Sequence, residues 1–339
     1  MKTHSLFLAA ALTLTSAPSF ADEVVIKLAT VAPKDSSWDK ALRELAKRWK
    51  ATSGETVKLK IFSGGTQGDE GDMVKKMRVG QLQAAAISAV GLHDITPEPQ
   101  ILATPRLVRD QGEYEYVMGM EAPKLEAAVA AKGFIVLTWS EAGFVYFFTK
   151  DPAPTVAALQ PQPIFAWSGD PASEQAWRDA GMKPVVVSST DMVTSLQTGM
   201  IKAFSNAALI SQSIGWYKYA KNMTDLTWGI LPGAVVVEKK AWDKIPAEMQ
   251  AKLLADAHEV GVSLSAELRT KTDEAKAAMV ADGLNVVKVT AEAEKDFVKA
   301  AEASYPTLRK GSPDMFDAVK KDVADYRAGK RLPSQPPAK

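Results

Sequence analysis

The chain has 339 residues, 46% hydrophobic and 24% charged, an ordinary globular balance with length enough for two domains. A formal net charge of +1 gives no electrostatic case for nucleic acid or an acidic surface as a partner. The absence of cysteine excludes thiol catalysis, zinc–thiolate sites, iron–sulfur clusters and disulfide bracing, so the apolar core must hold the fold by itself.

Lys2 and His4 precede an apolar run over residues 5–14, and small residues around Ala17 and Ala21 lead into Asp22 and Glu23. That is the pattern of a secretory signal peptide over residues 1–21, with cleavage expected after Ala21. Its apolar core is too short to span a bilayer, and no later stretch reaches about 20 uninterrupted apolar residues.

Residues 23–31 predict a first strand, followed by a loop that carries Trp38. Trp38, Leu42, Leu45 and Trp49 then mark one face of an amphipathic helix that Gly54 stops. A second strand is expected over residues 57–62, a glycine-rich loop over 63–70, a helix through Met73 and Met77, and a third strand over 84–88. This βαβαβ order predicts a mostly parallel sheet. The 63–70 loop lacks both the Lys-Ser/Thr ending of a phosphate loop and the GxGxxG spacing of a dinucleotide site. It reads either as a solvent-facing turn or as the rim of a ligand cleft.

Residues 97–105 are irregular and 111–132 helical, and residues 134–140 and 144–149 read as two separate strands. The second is aromatic, with positions 144, 146 and 148 on one face. A proline-rich connector is expected over residues 151–163. Trp139, Tyr146, Phe165 and Trp167 crowd this part of the chain, as core residues or as the walls of an aromatic pocket.

Residues 181–206 carry the strongest signal. A strand over 185–187 leads to a helix that Ser189, Thr190 and Asp191 can cap, loosened near its end by Gly199, and then to a strand over 201–204. Such a unit puts loops at strand ends, where open α/β sheets bind ligands. It holds no nucleophile, no paired carboxylates and no metal cluster, which points to a binder and not an enzyme. Asn206 is a polar anchor able to donate and accept. Trp216, Tyr217 and Tyr219 follow on a helix, with the same choice between core and pocket. His93 and His258 are the histidines left after residue 21. His93 beside Asp94 has no catalytic set around it, and His258 reads as structural.

A buried strand is expected over residues 235–237. Met249, Leu253, Ala257, Val260, Leu264 and Leu268 then recur along one face of a helix over 247–281, about 50 Å long and able to brace two domains. A last strand over 284–289, helices over 291–330 and a disordered proline-rich tail over 331–339 complete the prediction.

Together these motifs resemble the substrate-binding proteins of TRAP (tripartite ATP-independent periplasmic) transporters, of the dicarboxylate-binding DctP type. The likeness covers nearly the whole mature chain. It rests on KLATVAP at 27–33, FSGGTQGDE at 62–70 beside the family's YPGGQLGDE-type loop, LQTG at 196–199 through Asn206 beside LQTG…DGxxNP, and KKAW at 239–242. The resemblance implies an α/β, two-domain periplasmic binding protein fold, with a long helix spanning both domains and a ligand cleft between them. Domain I would comprise residues 22–143 and 232–260, and domain II residues 144–231 and 261–330. It further implies periplasmic capture of an organic acid without cofactor or metal, and delivery to TRAP membrane permease subunits.

The departures from the family bear on the ligand. Phe165 stands where the family usually has a carboxylate-pairing arginine, Val145 where a second arginine is frequent, and Trp228 where many members carry histidine. Of the DGxxNP motif only Asn206 remains. A carboxylate buried without a cation costs several kcal/mol, so a typical dicarboxylate is expected to bind poorly unless Arg78, Arg106 or Lys202 compensates. The expected ligand is a more apolar or aromatic compound, or a lipid, held by Trp38, Trp139, Tyr146, Phe165, Trp167, Asn206, Trp216 and Trp228. A rival reading keeps the fold but not the permease: a periplasmic carrier of lipids or other hydrophobic ligands, or an accessory of an envelope complex.

Overall fold

The computed structural model describes residues 23–333. The expected signal peptide and the end of the tail, from residue 334, lie outside the described residues. The strands in chain order are β1 (Val24–Thr30), β2 (Val57–Phe62), β3 (Ala84–Ser88), β4 (Phe134–Thr149), β5 (Pro163–Trp167), β6 (Lys183–Val187), β7 (Ala203–Ala207), β8 (Asn222–Thr224), β9 (Gly229–Glu238) and β10 (Asn285–Val287).

They form one 10-stranded sheet whose main path runs β2-β1-β3-β9-β4-β7-β5-β6, with β8 joined to β4 and β10 to β8. β1 pairs in parallel with β2 and β3, and β5 with β6 and β7, as helical crossovers dictate. The expectation of a mostly parallel sheet is corrected at its centre. β4 and β9 pair antiparallel to each other, and also to β3 and β7 at the flanks. The reason is topological: these two strands run from one half of the molecule to the other instead of winding up one half.

The two strands expected over 134–140 and 144–149 are one strand of 16 residues. Its pairing with β9 shifts register between Val136 and Thr138 and again between Glu141 and Phe144, and Gly143 takes φ +99° within the second irregularity. Such bulges bend a strand without ending it. β7 also starts two residues later than expected. Gly199, at φ +77°, caps the helix Met192–Thr198, and Ile201 N still donates back to Ser195 O at 3.1 Å.

The first helix, Ser37–Thr52, buries Leu42, Leu45 and Trp49 against β1, as its apolar face requires. Trp49 packs on Trp242 at 5.6 Å, and its indole N–H donates to Leu253 O at 2.9 Å. Met73, Met77, Leu92 and Phe134 fill the other face of this half-sheet. In the second half, Phe147, Ile164, Trp228 and Phe297 fill one face, and Phe148, Met192, Phe204 and Trp216 the other.

The helix Ala247–Ala281 joins the two halves. Leu253, Ala257 and Val260 belong to the first core, and Met279, near its far end, to the second. It lies so close to β4 that a Cβ at Gly261 would come within 2.0 Å of Thr138 Oγ1, so only glycine fits there as the chain stands. The helical stretch expected over 291–330 consists of Ala291–Gly311 and Pro313–Arg327. Beyond them Arg331 donates to Tyr326 O at 2.8 Å and stacks on its ring, and a Cβ at Gly119 would strike Leu332, so the tail's first residues pack on the protein.

Candidate ligand cleft

A cavity of about 530 Å³ lies between the two halves of the sheet. From the first half it is walled by Thr30, Trp38, Leu42, Glu70 and Ser88, from the crossing strands by Thr138, Ser140 and Gly233, and from the long helix by Gly261 and Leu264. The second half contributes Trp167, Ser189, Asn206 and Trp216. Its size suits a small organic molecule.

Its electrostatics are unusual for a receptor of anions. Among the lining residues there is no lysine, arginine or histidine, and Glu70 is the one ionisable group. Glu70 is 3% exposed. Its carboxylate accepts from Ser88 Oγ at 2.7 Å, from Ser88 N at 3.0 Å and from Gly91 N at 2.9 Å. Burial pushes its pKa up to about 7, while these hydrogen bonds pull the other way. A Cβ at Gly91 would lie 2.9 Å from Glu70 Oε2, so glycine leaves room for the carboxylate.

Asn206, opposite Tyr146 in the β4–β7 ladder, accepts at Oδ1 from Ala207 N at 2.8 Å. Its side-chain amide N–H groups have no partner among the described residues, so it offers donors to the cavity. Across the mouth, Asp69 from the glycine-rich loop accepts from Ser189 N, Ser189 Oγ and Ser188 Oγ, each at 3.0 Å. The loop over 63–70 is thus a cleft rim.

The expected site residues separate into three groups. Trp38, Trp167, Asn206 and Trp216 line the cleft. Phe165 and Trp228 line a smaller adjoining chamber of about 140 Å³, which shares Trp167 and Asn206 with the cleft. Trp139 and Tyr146 line neither. Trp139 donates its indole N–H to Glu126 at 3.0 Å, and Tyr146 accepts from Lys276 Nζ at 2.8 Å. Trp216 begins a short 3-10 turn, Trp216–Tyr219, not an α-helix, and packs edge-on against Phe165 and Phe204. Of positions 144, 146 and 148, Tyr146 and Phe148 share a core, whereas Phe144 packs against the cluster of Leu102 and Ile230.

None of the cations considered as substitutes reaches either space. Arg78 donates to Asp94 O at 2.8 Å, Lys202 is exposed, and Arg106 is buried against Glu294 and Thr227 O. His93 and His258 also lie outside both linings. Among the described residues no cluster of histidine and carboxylate side chains could hold a metal ion, and no helix is long and apolar enough to cross a membrane.

Sequence reading passed over Glu70, Asp69 and Asp170. Asp69 and Glu70 fall within the glycine-rich loop read as a turn or a cleft rim, but nothing singles out either, and Asp170 has only the signature of a helix N-cap. Glu70 becomes a cleft residue through Ser88 and Gly91.

Residues 28–310 match the model of bacterial extracellular solute-binding protein family 7, DctP. The chain belongs to that family. A solute-binding protein of Sulfitobacter sp. (strain NAS-14.1) is 23% identical over 318 residues, covering 92% of this chain and 95% of the relative. Among solved structures, a TRAP periplasmic solute-binding protein from Roseobacter denitrificans with bound β-D-glucuronate superposes with TM-score 0.82 at 20% identity, covering 88% of this chain and 99% of that one. Another from Ralstonia eutropha H16, with bound (S)-2-acetolactate, gives TM-score 0.83 at 19% identity, covering 89% and 99%. The DctP chain therefore has the two-domain TRAP receptor fold, and its relatives are transport solute-binding proteins, not enzymes. The family is periplasmic. The three positions where the resemblance expects arginine or histidine, 165, 145 and 228, converge on the smaller chamber as Phe165, Val145 and Trp228.

Proposed function

We propose that this DctP protein is the periplasmic receptor of a TRAP uptake system for a small organic molecule more apolar or aromatic than a dicarboxylate. One observation carries the reading: the cleft of about 530 Å³ is lined by aromatic, aliphatic and small hydroxyl side chains and by no cation. A carboxylate bound there would leave water without a counter-charge and would share the space with Glu70. The solved neighbours hold glucuronate and acetolactate, both anions, but at 20% and 19% identity they support the fold and not the ligand. Ligand release to TRAP permease subunits is what family membership supports. No relative supports the alternative of an envelope carrier working without a permease.

Mass spectrometry of the molecule that co-purifies with the mature protein tests this directly, alongside calorimetry with C4-dicarboxylates and glucuronate. The expected result is an uncharged or weakly charged, largely apolar ligand and no measurable dicarboxylate binding. Tight binding of any of these acids would overturn the proposal.

A further inference from the structure

The polar groups that the cleft leaves free are mainly hydrogen-bond donors. Trp38, Trp167 and Trp216 line it. Their indole N–H groups have no hydrogen-bond partner among the described residues, yet none of the three is sealed away from open space. Trp216 is only 6% exposed, and the cleft is the open space it borders. Phe165 fixes two of these rings, its centroid lying 5.5 Å from that of Trp167 and 5.7 Å from that of Trp216. Trp38 belongs to the opposite half of the molecule. Trp49 and Trp139, which line neither space, donate to Leu253 O and to Glu126.

Asn206, 7% exposed, adds its amide N–H groups, because its Oδ1 is taken by Ala207 N. The hydroxyl hydrogens of Ser88, Thr138 and Ser213 are already given, to Glu70, Trp139 O and Leu209 O. Glu70 is itself satisfied by Ser88 and Gly91 N, so it asks no donor of a ligand. The smaller chamber repeats the pattern. Trp177 and Trp228 line it with unpartnered indole N–H groups, and its one ionisable residue, Asp170, is satisfied by Gln100 Nε2 and Ser173 N.

An indole N–H donates and cannot accept. A ligand that fills the cleft drives out water, and each N–H must then find an acceptor on the ligand or stay buried and unpaired. A hydrocarbon tail offers no acceptor. An ammonium carries three donors and no acceptor, so it would set donors against donors. A carboxylate accepts but brings an uncompensated charge beside Glu70. A carbonyl oxygen accepts through two lone pairs and brings no charge.

We propose that the ligand is an uncharged carbonyl compound, a ketone, ester or lactone, whose oxygens accept from the indole N–H groups of Trp38, Trp167 and Trp216. The inference rests on the reading of the cleft as a receptor for an apolar molecule, and assigns the polar groups which that molecule carries.

The test uses ligand-free mature protein and three molecules with one aromatic body: benzylacetone, the ammonium in which an amine replaces its ketone, and 3-phenylpropanoate. Calorimetry is expected to rank the ketone first, at least about tenfold tighter than the amine, with the acid weakest. In proton–nitrogen NMR of tryptophan-labelled protein, the ketone should move the indole signals of Trp38, Trp167 and Trp216 downfield. Those of Trp49 and Trp139, already bonded, should stay. Trp38→Phe, which keeps a ring and drops the N–H, should weaken the ketone by about fivefold or more and leave the amine unchanged. The NMR readout is taken on the parent protein, so a folding defect in the variant cannot imitate it. A tighter amine, ketone binding with the three indole signals unmoved, undiminished ketone affinity in Trp38→Phe, or no ketone binding at millimolar concentration would each overturn the donor assignment while leaving the apolar receptor standing. Preference for the acid would overturn both.

Discussion

Asp69 and Ser189 meet across the mouth of the cleft, the carboxylate accepting from both the backbone N–H and the hydroxyl of the serine at 3.0 Å. One belongs to the loop before the helix Glu70–Arg78, the other to the turn after β6, so the contact ties the two halves of the molecule over the cavity. Hinge closure in two-domain receptors depends on such contacts between moving parts. Asp69→Ala should lower affinity for the co-purified ligand by about tenfold, from loss of charge-assisted bonds. It should also increase the radius of gyration in solution scattering. Because Asp69 caps its own helix, Asp69→Ala also costs about 1 kcal/mol of stability, whereas Asp69→Asn retains the cap. Undiminished affinity in both variants would show that closure does not depend on this contact.

Glu70 gives the cleft a pH dependence. Its ordinary pKa of 4.5 rises to about 7 in the folded chain because burial disfavours the carboxylate. Between these values the unfolded chain has released a proton that the native chain still holds, so stability falls as pH rises through the window. The loss attributable to this residue is about 3 kcal/mol when complete. Urea unfolding from about pH 5 to about pH 8 should show that slope in the parent protein and a flatter one in Glu70→Gln. Identical slopes in the two proteins would remove Glu70 as the cause.

Much of this was legible in the sequence, because local patterns set local elements. Leu42, Leu45 and Trp49 marked the buried face of the first helix, and Leu253, Ala257 and Val260 that of the long one. The direction of β4 and β9 was not legible: periodicity reports which face of a strand is buried, not which way its neighbour runs. The gap between the strands expected over 134–140 and 144–149 is a bulge at Gly143 and not a turn, and the sequence does not separate the two because both use glycine. Trp38, Trp167 and Trp216 line the cleft and Trp139 does not, although all four are tryptophans. What separates them is the layer each enters, and long-range packing decides that. Asp170 gave no sign of its chamber, since a helix-capping aspartate looks the same whether its surroundings are water or tryptophan.

Trp38 and Trp216 both line the cleft, yet their replacement should have different consequences. Trp216 is 6% exposed, with ring centroids 5.7 Å from Phe165 and 5.5 Å from Phe204. Trp216→Ala removes core volume and should destabilise the protein by about 3–5 kcal/mol. Trp38 is half-buried against the cluster of Leu264 and Leu268. Trp38→Ala should cost about 1–2 kcal/mol of stability, through lost apolar burial alone. It should also weaken ligand binding by about tenfold, as loss of an aromatic anchor does. Chemical denaturation and calorimetry on the two variants separate these effects, and equal stability losses would contradict the difference in burial.

The close approach of Gly261 to Thr138 couples the bridging helix to the crossing strand at the cleft wall. A methyl group at position 261 would stand 2.0 Å from Thr138 Oγ1, 3.0 Å from its Cβ and 3.2 Å from its Cγ2. The hydroxyl can rotate away, but the Cβ moves only if the helix or the strand moves. Gly261→Ala should therefore destabilise the protein by about 1–3 kcal/mol, the usual cost of overpacking. That outweighs the gain of up to about 1 kcal/mol that alanine brings to a helix interior. Combining it with Thr138→Ala, which removes two of the three clashing atoms, should recover part of the loss, so the two changes are non-additive in a double-mutant cycle. Additive losses would mean that helix and strand already have room to part, and that the cleft wall is not rigid at this point.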